Sequence, residues 1–141
     1  MMVVPFNREH IENMVIQQRQ QNLRHLLTDE VCASLEQGQS YSALDGDEVL
    51  ACAGTIEIAP GRAIAWAYIS ENIGTRMVGV TKAINHFLKA TQYRRIEMDV
   101  DCDFAQAHRL AYLLGFSLEC ERRVSYTPDG RDCALYAMVK P

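Results

Sequence analysis

Three groups of side chains in this sequence are placed to do chemistry. The first is Arg76-Met77-Val78-Gly79-Val80-Thr81, which opens a helix-periodic run shortly after a strand-like one. A helix N-terminus in that position presents backbone N–H groups that lack intrahelical partners. It can therefore hold an anion such as a phosphate, and a glycine there admits close approach. Taken alone, the same Arg-x-x-Gly-x-Thr pattern also reads as plain helix surface. The second group is a carboxylate pair. Glu97 and Asp99 share one face of the alternating run Arg95–Val100, opposite Ile96, Met98 and Val100. Such a pair suits the wall of a cleft, where a carboxylate can act as a base, and it suits a solvated strand face equally well. The third group is Cys102, just past the end of that strand, with His86 and His108 on helical runs. Nothing beside Cys102 marks an activated thiolate. A lone histidine on a helix is ordinarily a surface or packing residue before it is a switch.

The elements that must position these groups follow from periodicity. Ala63–Ile69 reads as a strand, with Ile64, Trp66 and Tyr68 on one face and small alanines on the other. Ser70–Gly74 breaks it. Arg76–Thr91 then runs at helical spacing, with Val80, Ala83, Ile84, Phe87 and Leu88 on one stripe. Arg95–Val100 is a second strand, and Phe104–Leu114 a second helix, stopped at Gly115. A strand, a crossover helix and a further strand imply parallel pairing.

The flanking segments complete a mixed sheet. Met2–Phe6 reads as an edge strand that tolerates Pro5. Asn7 is a good N-cap for a helix whose buried stripe is Ile11, Met14 and Val15, with Gln17–Gln21 on its solvated side and Leu23, Leu26 and Leu27 continuing the apolar pattern. Thr28 caps a further helix with Val31, Ser34 and Leu35 inward, ended by Gly38 in the left-handed position. Tyr41–Leu44, Glu48–Ile58 and the Ile64 strand form an antiparallel meander through turns at Asp45-Gly46-Asp47 and Ala59-Pro60-Gly61. Ser117–Tyr126 and Asp132–Lys140 close the chain as a hairpin across Thr127-Pro128-Asp129-Gly130, a type I turn sequence. The order is βααβββαβαββ.

Composition narrows the function classes. A chain of 141 residues suits a single domain, 1–141, with one core. The formal net charge of −4 argues against a nucleic-acid partner, because Arg94-Arg95 and Arg122-Arg123 are short pairs rather than a basic stripe. The five cysteines are odd in number and lack CxxC spacing, and the four histidines make no ligand pattern with them, so a zinc site is not expected. Most of the thiols sit in apolar runs, as in a reducing, cytoplasmic compartment. No signal peptide is visible, and no apolar run approaches the roughly 20 residues of a membrane span.

The order of elements and turns resembles the GNAT family of N-acetyltransferases along nearly the whole chain. The likeness is sharpest at Val100–Phe116, VDCDFAQAHRLAYLLGF, which is similar without a gap to the family's strand–helix–Gly-Phe segment. It continues into Arg123–Gly130, similar to the family's closing hairpin. The wording also resembles small GNAT-like proteins of tailed phages, where a central-strand Trp, a Gly-Phe stop and a Pro-Asp-Gly hairpin recur. Some members of that group are internal virion proteins. The resemblance implies an α+β fold: a mixed, mostly antiparallel twisted sheet with a central parallel βαβ pair and helices on both faces.

It further implies acetyl-CoA as cofactor and an amine, on a small molecule or a protein, as acceptor. The family's pyrophosphate cradle, Gln/Arg-x-x-Gly-x-Gly/Ala, falls on Arg76, Gly79 and Thr81. Tyr68, Ile69 and Ser70 take the place of the central-strand stretch that binds the cofactor and supplies a backbone donor to the oxyanion. There are departures. Thr81 stands where the family has Gly or Ala. Phe104 replaces an Asn at the start of the second helix. Ala111 replaces the Tyr that protonates the leaving thiolate. Tyr112 is the neighbouring phenol, but one helical residue is a turn of about 100°, and packing is its ordinary role. Candidate bases by position are Glu57, Glu71, Glu97 and Asp99. Three readings stay open: a transferase with an unusual proton path (Glu97, Asp99 and Tyr112 its candidate groups), a non-enzymatic phage structural or interaction protein, and a module that binds coenzyme A without turnover. Trp66 and Tyr68 could serve a core or a homo-oligomer interface. If phage-encoded, the protein would work in the host cytoplasm or the virion.

Overall fold

The computed structural model of the chain describes residues 1–16 and 28–141. Gln17–Gln21, Leu23, Leu26 and Leu27, read above as continuing a helix, lie outside the described residues. The described elements are β1 (Met2–Pro5), α1 (Arg8–Asn13), α2 (Asp29–Gln37), β2 (Gln39–Asp45), β3 (Glu48–Ala59) and β4 (Arg62–Ile69). After a 3-10 turn at Gly74–Arg76 come α3 (Met77–Ala90), β5 (Arg95–Asp101), α4 (Ala105–Leu113), β6 (Ser117–Arg123) and β7 (Cys133–Val139). One seven-stranded sheet runs in the order β1-β2-β3-β4-β5-β7-β6. It is antiparallel everywhere except between β4 and β5, which are parallel. This is the expected mixed sheet.

Local chemistry sets most boundaries. The Asn7 side chain accepts from Glu9 N–H at 2.8 Å and His10 reaches back to Asn7 N–H, so α1 begins with a reciprocal cap. Thr28 caps α2 through Val31 N–H. The end of α4 is a Schellman stop. Phe116 N–H donates to Ala111 O and Gly115 N–H to Tyr112 O, both at 3.0 Å, with Gly115 at φ 89°. Gly130 N–H donates to Thr127 O at 2.9 Å, closing the expected turn of the last hairpin.

Four expectations are corrected. Helix α1 ends at Asn13, which leaves Val15 half exposed while Ile11 and Met14 are buried. In α2 the inward residues are Cys32 and Leu35, because a helix capped at Thr28 turns Val31 and Ser34 to solvent. The closing strand β6 stops at Arg123 rather than Tyr126. Gly38 is extended, at φ −79°, rather than left-handed. Its reason for being glycine is space: a Cβ would lie 2.3 Å from the Thr55 carbonyl oxygen.

The feature that positions the site is the short contact between β4 and β5. They pair at only Arg62↔Arg95, Ala63↔Ile96 and Ile64↔Glu97. Beyond Ile64, β4 keeps its other neighbour as far as Ile69↔Ala51, and β5 keeps β7 as far as Asp101↔Cys133. The two strands therefore part into a V. At its base Arg62 Nε donates to Glu97 Oε2 at 2.6 Å, and Arg95 Nε to the same oxygen at 2.9 Å. Arg95 then reaches past β7 to Glu119 on β6. The V has unlike faces. Trp66 and Tyr68 pack with Phe6, Ile11, Met14 and Leu35 under α1 and α2, so both belong to the core of one chain. Ala65 and Ala67 face Met77 and Ile84 of α3, and Met98 and Val100 lie under Leu110 of α4.

Two outcomes follow. Gly38→Ala drives a methyl carbon against a backbone carbonyl, and the expected cost is about 1–3 kcal/mol, read as a lower urea midpoint at unchanged slope. At the base of the V, the Arg62 guanidinium, opposed by the cost of burial and aided by Arg95, holds the Glu97 carboxyl below the usual carboxylate range. Its stabilisation is present above the ordinary glutamate value of about 4.3 and disappears as pH falls through the depressed one. Glu97→Gln should thus lower the melting temperature at pH 7 in scanning calorimetry, and the gap to wild type should narrow as the pH is taken below the ordinary glutamate value.

Candidate active site

The V encloses a cleft of about 440 Å³. Its apolar walls are Ala65 and Ala67 from β4, Met98 from β5 and Leu110 from α4. On the helical side of β4 the small side chains of Ala65 and Ala67 keep the space between the strands open as far as Ile69. On the helical side, Gly74, Met77 and Thr81 line it. Gly74 has φ 56° and open space beyond its Cα, so its glycine answers to backbone conformation rather than to crowding. Neither the 3-10 turn nor α3 has a side-chain cap. Across the cleft, α4 contributes Arg109, an exposed residue in no ion pair among the described residues. On the other face stand Trp66, Asp99, Asp101 and Arg131, with Glu71 just past the end of β4.

The structure brings some of the expected residues together and turns others away. Thr81 and Ile69 line the cleft, as does Asp99. The Asp99 carboxylate accepts from Arg123 Nη2 at 2.7 Å. Arg76, expected to meet a phosphate, instead faces the β2–β3 turn. It pairs with both oxygens of Glu48, at 2.7 and 3.0 Å, and with Asp45 at 3.0 Å, and it donates to the carbonyls of Asn72 and Ile73. Gly79 lies two residues past Met77, about 200° round the helix. It looks toward Met1, whose Cε would be 3.7 Å from a Cβ there. The cradle residues are thus divided between two sides of α3.

On β4, Ser70 N–H donates to Leu50 O at 2.8 Å. The two-residue repeat of a strand gives Tyr68 the same orientation toward β3 and turns the main chain of Ala67 and Ile69 toward β5. The Tyr68 ring belongs to the α1–α2 core, and burial pushes its phenol up. Ser70 is buried, its hydroxyl accepting from Asn72 N–H in the turn that leaves the strand. Glu97 lies at the base of the V, outside the cleft, spent on Arg62 and Arg95. Glu57 is exposed on β3, also outside.

The start of α4 shows how the helix is held with Phe104 and Ala111 at the positions where the resemblance implies polar groups. Phe104 occupies the N-cap position without a capping hydrogen bond, and it lines the cleft. The helix is tethered instead by His108, whose Nε2 lies 3.0 Å from Cys102 O and Nδ1 2.7 Å from the Tyr136 hydroxyl. The carbonyl can only accept, so Nε2 carries the proton and Nδ1 accepts from Tyr136. Ala111 is fully buried among Leu88, Leu110, Leu114 and Phe116. Tyr112, expected to pack, is 78 % exposed and outside the cleft, because the helix is rotated to bury Leu110 and Ala111.

Residues that sequence reasoning missed are Arg109, Asp101 and Arg131. Arg109 carried a weak signal, a cation beside the buried Leu110-Ala111 pair. Arg131 carried none, since only the pairing of Cys133 with Asp101 brings it to the cleft. Its Nη1 lies 2.8 Å from Asp101 Oδ2.

No protein-family model and no curated protein matches the sequence. Solved structures do. Ard1 from Thermoplasma volcanium superposes with a TM-score of 0.74 at 13% identity, over 99% of this chain and 97% of its own. An IAA acetyltransferase from Bacillus cereus gives 0.72 at 15%, over 99% of both chains. The ribosomal-protein-S18-alanine N-acetyltransferase from Escherichia coli gives 0.66 at 15%, over 98% of this chain and 92% of its own. Likeness at such low identity speaks to fold alone, and on that ground the chain has the GNAT acetyltransferase fold from end to end.

Proposed function

We propose that the protein transfers an acetyl group from acetyl-CoA to an amine. The observation that carries this reading is the V between β4 and β5, held at its base by three residue pairs and open above Ile64. The residues present fit the cofactor. A thin apolar passage between Ala65, Ala67 and Met98 suits an uncharged arm, and the start of the 3-10 turn at Gly74 that leads into α3, which no side chain caps, with Thr81 and the guanidinium of Arg109, suits phosphate oxygens. When bound, acetyl-CoA supplies the acyl group: its C–S bond breaks as the C–N bond forms, the amine loses a proton and the sulfur takes one up.

The chain's own groups set the proton path. Asp99 accepts from Arg123 Nη2, and we assign it an orienting role. Glu71, exposed at the rim and in no ion pair among the described residues, can pass the amine's proton to solvent. With Ala111 in the core and Tyr112 in solvent, the departing sulfur takes its proton from water. The neighbouring folds act on unlike amines, a ribosomal-protein alanine in one and spermidine in another, so the fold leaves the acceptor open.

A second reading, a GNAT-fold protein without turnover that serves as an interaction module or phage structural component, is favoured by one observation. The position of the family's acid is a buried alanine with no room for a phenol.

Calorimetric titration with acetyl-CoA, with desulfo- and dephospho-analogues as controls, separates the two. The transferase reading expects micromolar affinity, weakened about tenfold by Arg109→Ala, the loss of one charge-assisted contact. Arg76→Ala should leave affinity within about threefold while lowering the melting temperature. A flat titration to millimolar cofactor would remove the transferase reading.

A further inference from the structure

Behind the apolar wall of the cleft lies a second, smaller hollow of about 20 Å³. From the sheet it is lined by Ala53 of β3 and by Ala65 and Ala67 of β4, and from the helices by Ile84 and Phe87 of α3 and by Leu114 at the end of α4. Ala65, Ala67, Met98 and Leu110 line both spaces, so the wall of one is the wall of the other. Protein interiors are close-packed, and voids that could take a water are few in any domain. This one has a plain cause. Ala53 and Ala67 are paired directly across β3 and β4, and with Ala65 they turn three of the smallest side chains toward the helices.

The lining selects an apolar occupant. A buried water needs about two to four polar partners. Trp66 alone among the lining side chains carries a nitrogen or an oxygen, and its ring packs with Phe6 on the other face of the sheet. The partition between cleft and hollow can also move. Met98 is half-buried, and an unbranched thioether side chain adapts to what lies beside it. The alanines beside it present no bulk. A thioester seated in the passage between Ala65, Ala67 and Met98 thus has an apolar space next to its acyl end. The size of that space, close to one water, suits roughly one or two further carbons and not a long chain.

We propose that the acyl chain of the donor ends in this hollow, so that the site takes propionyl- or butyryl-CoA in preference to acetyl-CoA. The proposal rests on the cleft being the acyl-CoA site. The bond changes at the carbonyl carbon are those of acetyl transfer: the C–S bond breaks as the C–N bond forms, the amine gives up a proton and the sulfur takes one up. Only the apolar tail differs, and Ala53, Ala65, Ala67 and Met98 set its length.

The test is calorimetric titration of the full chain with coenzyme A and with its acetyl, propionyl, butyryl and octanoyl thioesters. Affinity should rise about fourfold from acetyl to propionyl, the gain for burying one methylene, and should have fallen again at octanoyl. Acetyl and propionyl thioesters that bind within about twofold of each other overturn the proposal. So does an affinity that keeps rising to octanoyl, because that reports general adhesion of apolar tails.

Two variants of residues outside the cleft lining move the preference in opposite directions. Ala53→Val fills the hollow and should bring the propionyl-to-acetyl affinity ratio to about one. Ile84→Ala enlarges it and should shift the tightest binder to a longer acyl chain. A loss of stability weakens all thioesters alike and produces neither change, so ratios that stay at the wild-type value in both variants count against the assignment. Should one variant fail to fold, the other and the wild-type series decide. The transferase reading fails differently: acetyl-CoA binding with a flat series ends this proposal and leaves the transferase, whereas no binding by any thioester ends both.

Discussion

The molecule depends on a contact that is deliberately short. Three residue pairs join β4 to β5 and then the strands separate, although a parallel pair of this length could have continued for several more. Two things make the short contact sufficient. Each strand is fully paired on its far side, β4 to β3 and β5 to β7, so neither needs the other for its backbone hydrogen bonds near the base. The join itself is stitched by side chains. Glu97, 9 % exposed, accepts from Arg62 across the gap and from Arg95 along its own strand. Gly61 O accepts two further N–H bonds, from Arg94 and Arg95. A buried carboxylate with one partner would be expensive, and with two guanidiniums it locks the base of the V.

The unlike faces of β4 follow from the same opening. Where strands part, something must stop the helices above from collapsing into the gap and the core below from filling it. On the helical side the answer is subtraction: Ala65 and Ala67 leave space under α3 and α4. On the other side it is bulk. Phe6 meets Trp66 edge-on at a ring distance of 5.2 Å and Trp66 lies 6.1 Å from Tyr68, a row that wedges the strand against α1 and α2. Aromatic contacts of this kind are stiff, so the V is braced from one face and emptied on the other.

Most of this frame was legible because it is local. Alternation gave β4 and β5, the 3.6-residue stripe gave α3 and α4, and Asn7, Thr28 and the Gly115-Phe116 stop act within a few residues of where they stand. Errors arose where a position depends on something distant. Gly38 looked like a left-handed cap, but its constraint is the Thr55 carbonyl, a neighbour only after β2 pairs with β3. Arg76 looked like a phosphate ligand because sequence shows its distance from Gly79, whereas its direction is set by Glu48 and Asp45, which arrive through the β2–β3 turn. Arg131 was invisible for the same reason, since the last hairpin alone carries it to Asp101.

The changes at the second helix are linked rather than separate losses. Without a polar residue at position 104 the first turn of α4 has no side-chain cap, and an uncapped helix start would be free to rotate. His108 supplies the missing constraint one turn later, fixed between Cys102 O and the Tyr136 hydroxyl. That tether sets the rotation of α4 so that Leu110 and Ala111 face the core and Arg109 faces the cleft. In this setting a phenol at 111 would point into Leu88 and Phe116, so alanine there is what the rotation requires. The rotation that buries Ala111 is thus the same one that sets the Arg109 guanidinium beside the cleft, so α4 brings charge to the cleft and keeps its own phenol, Tyr112, in solvent.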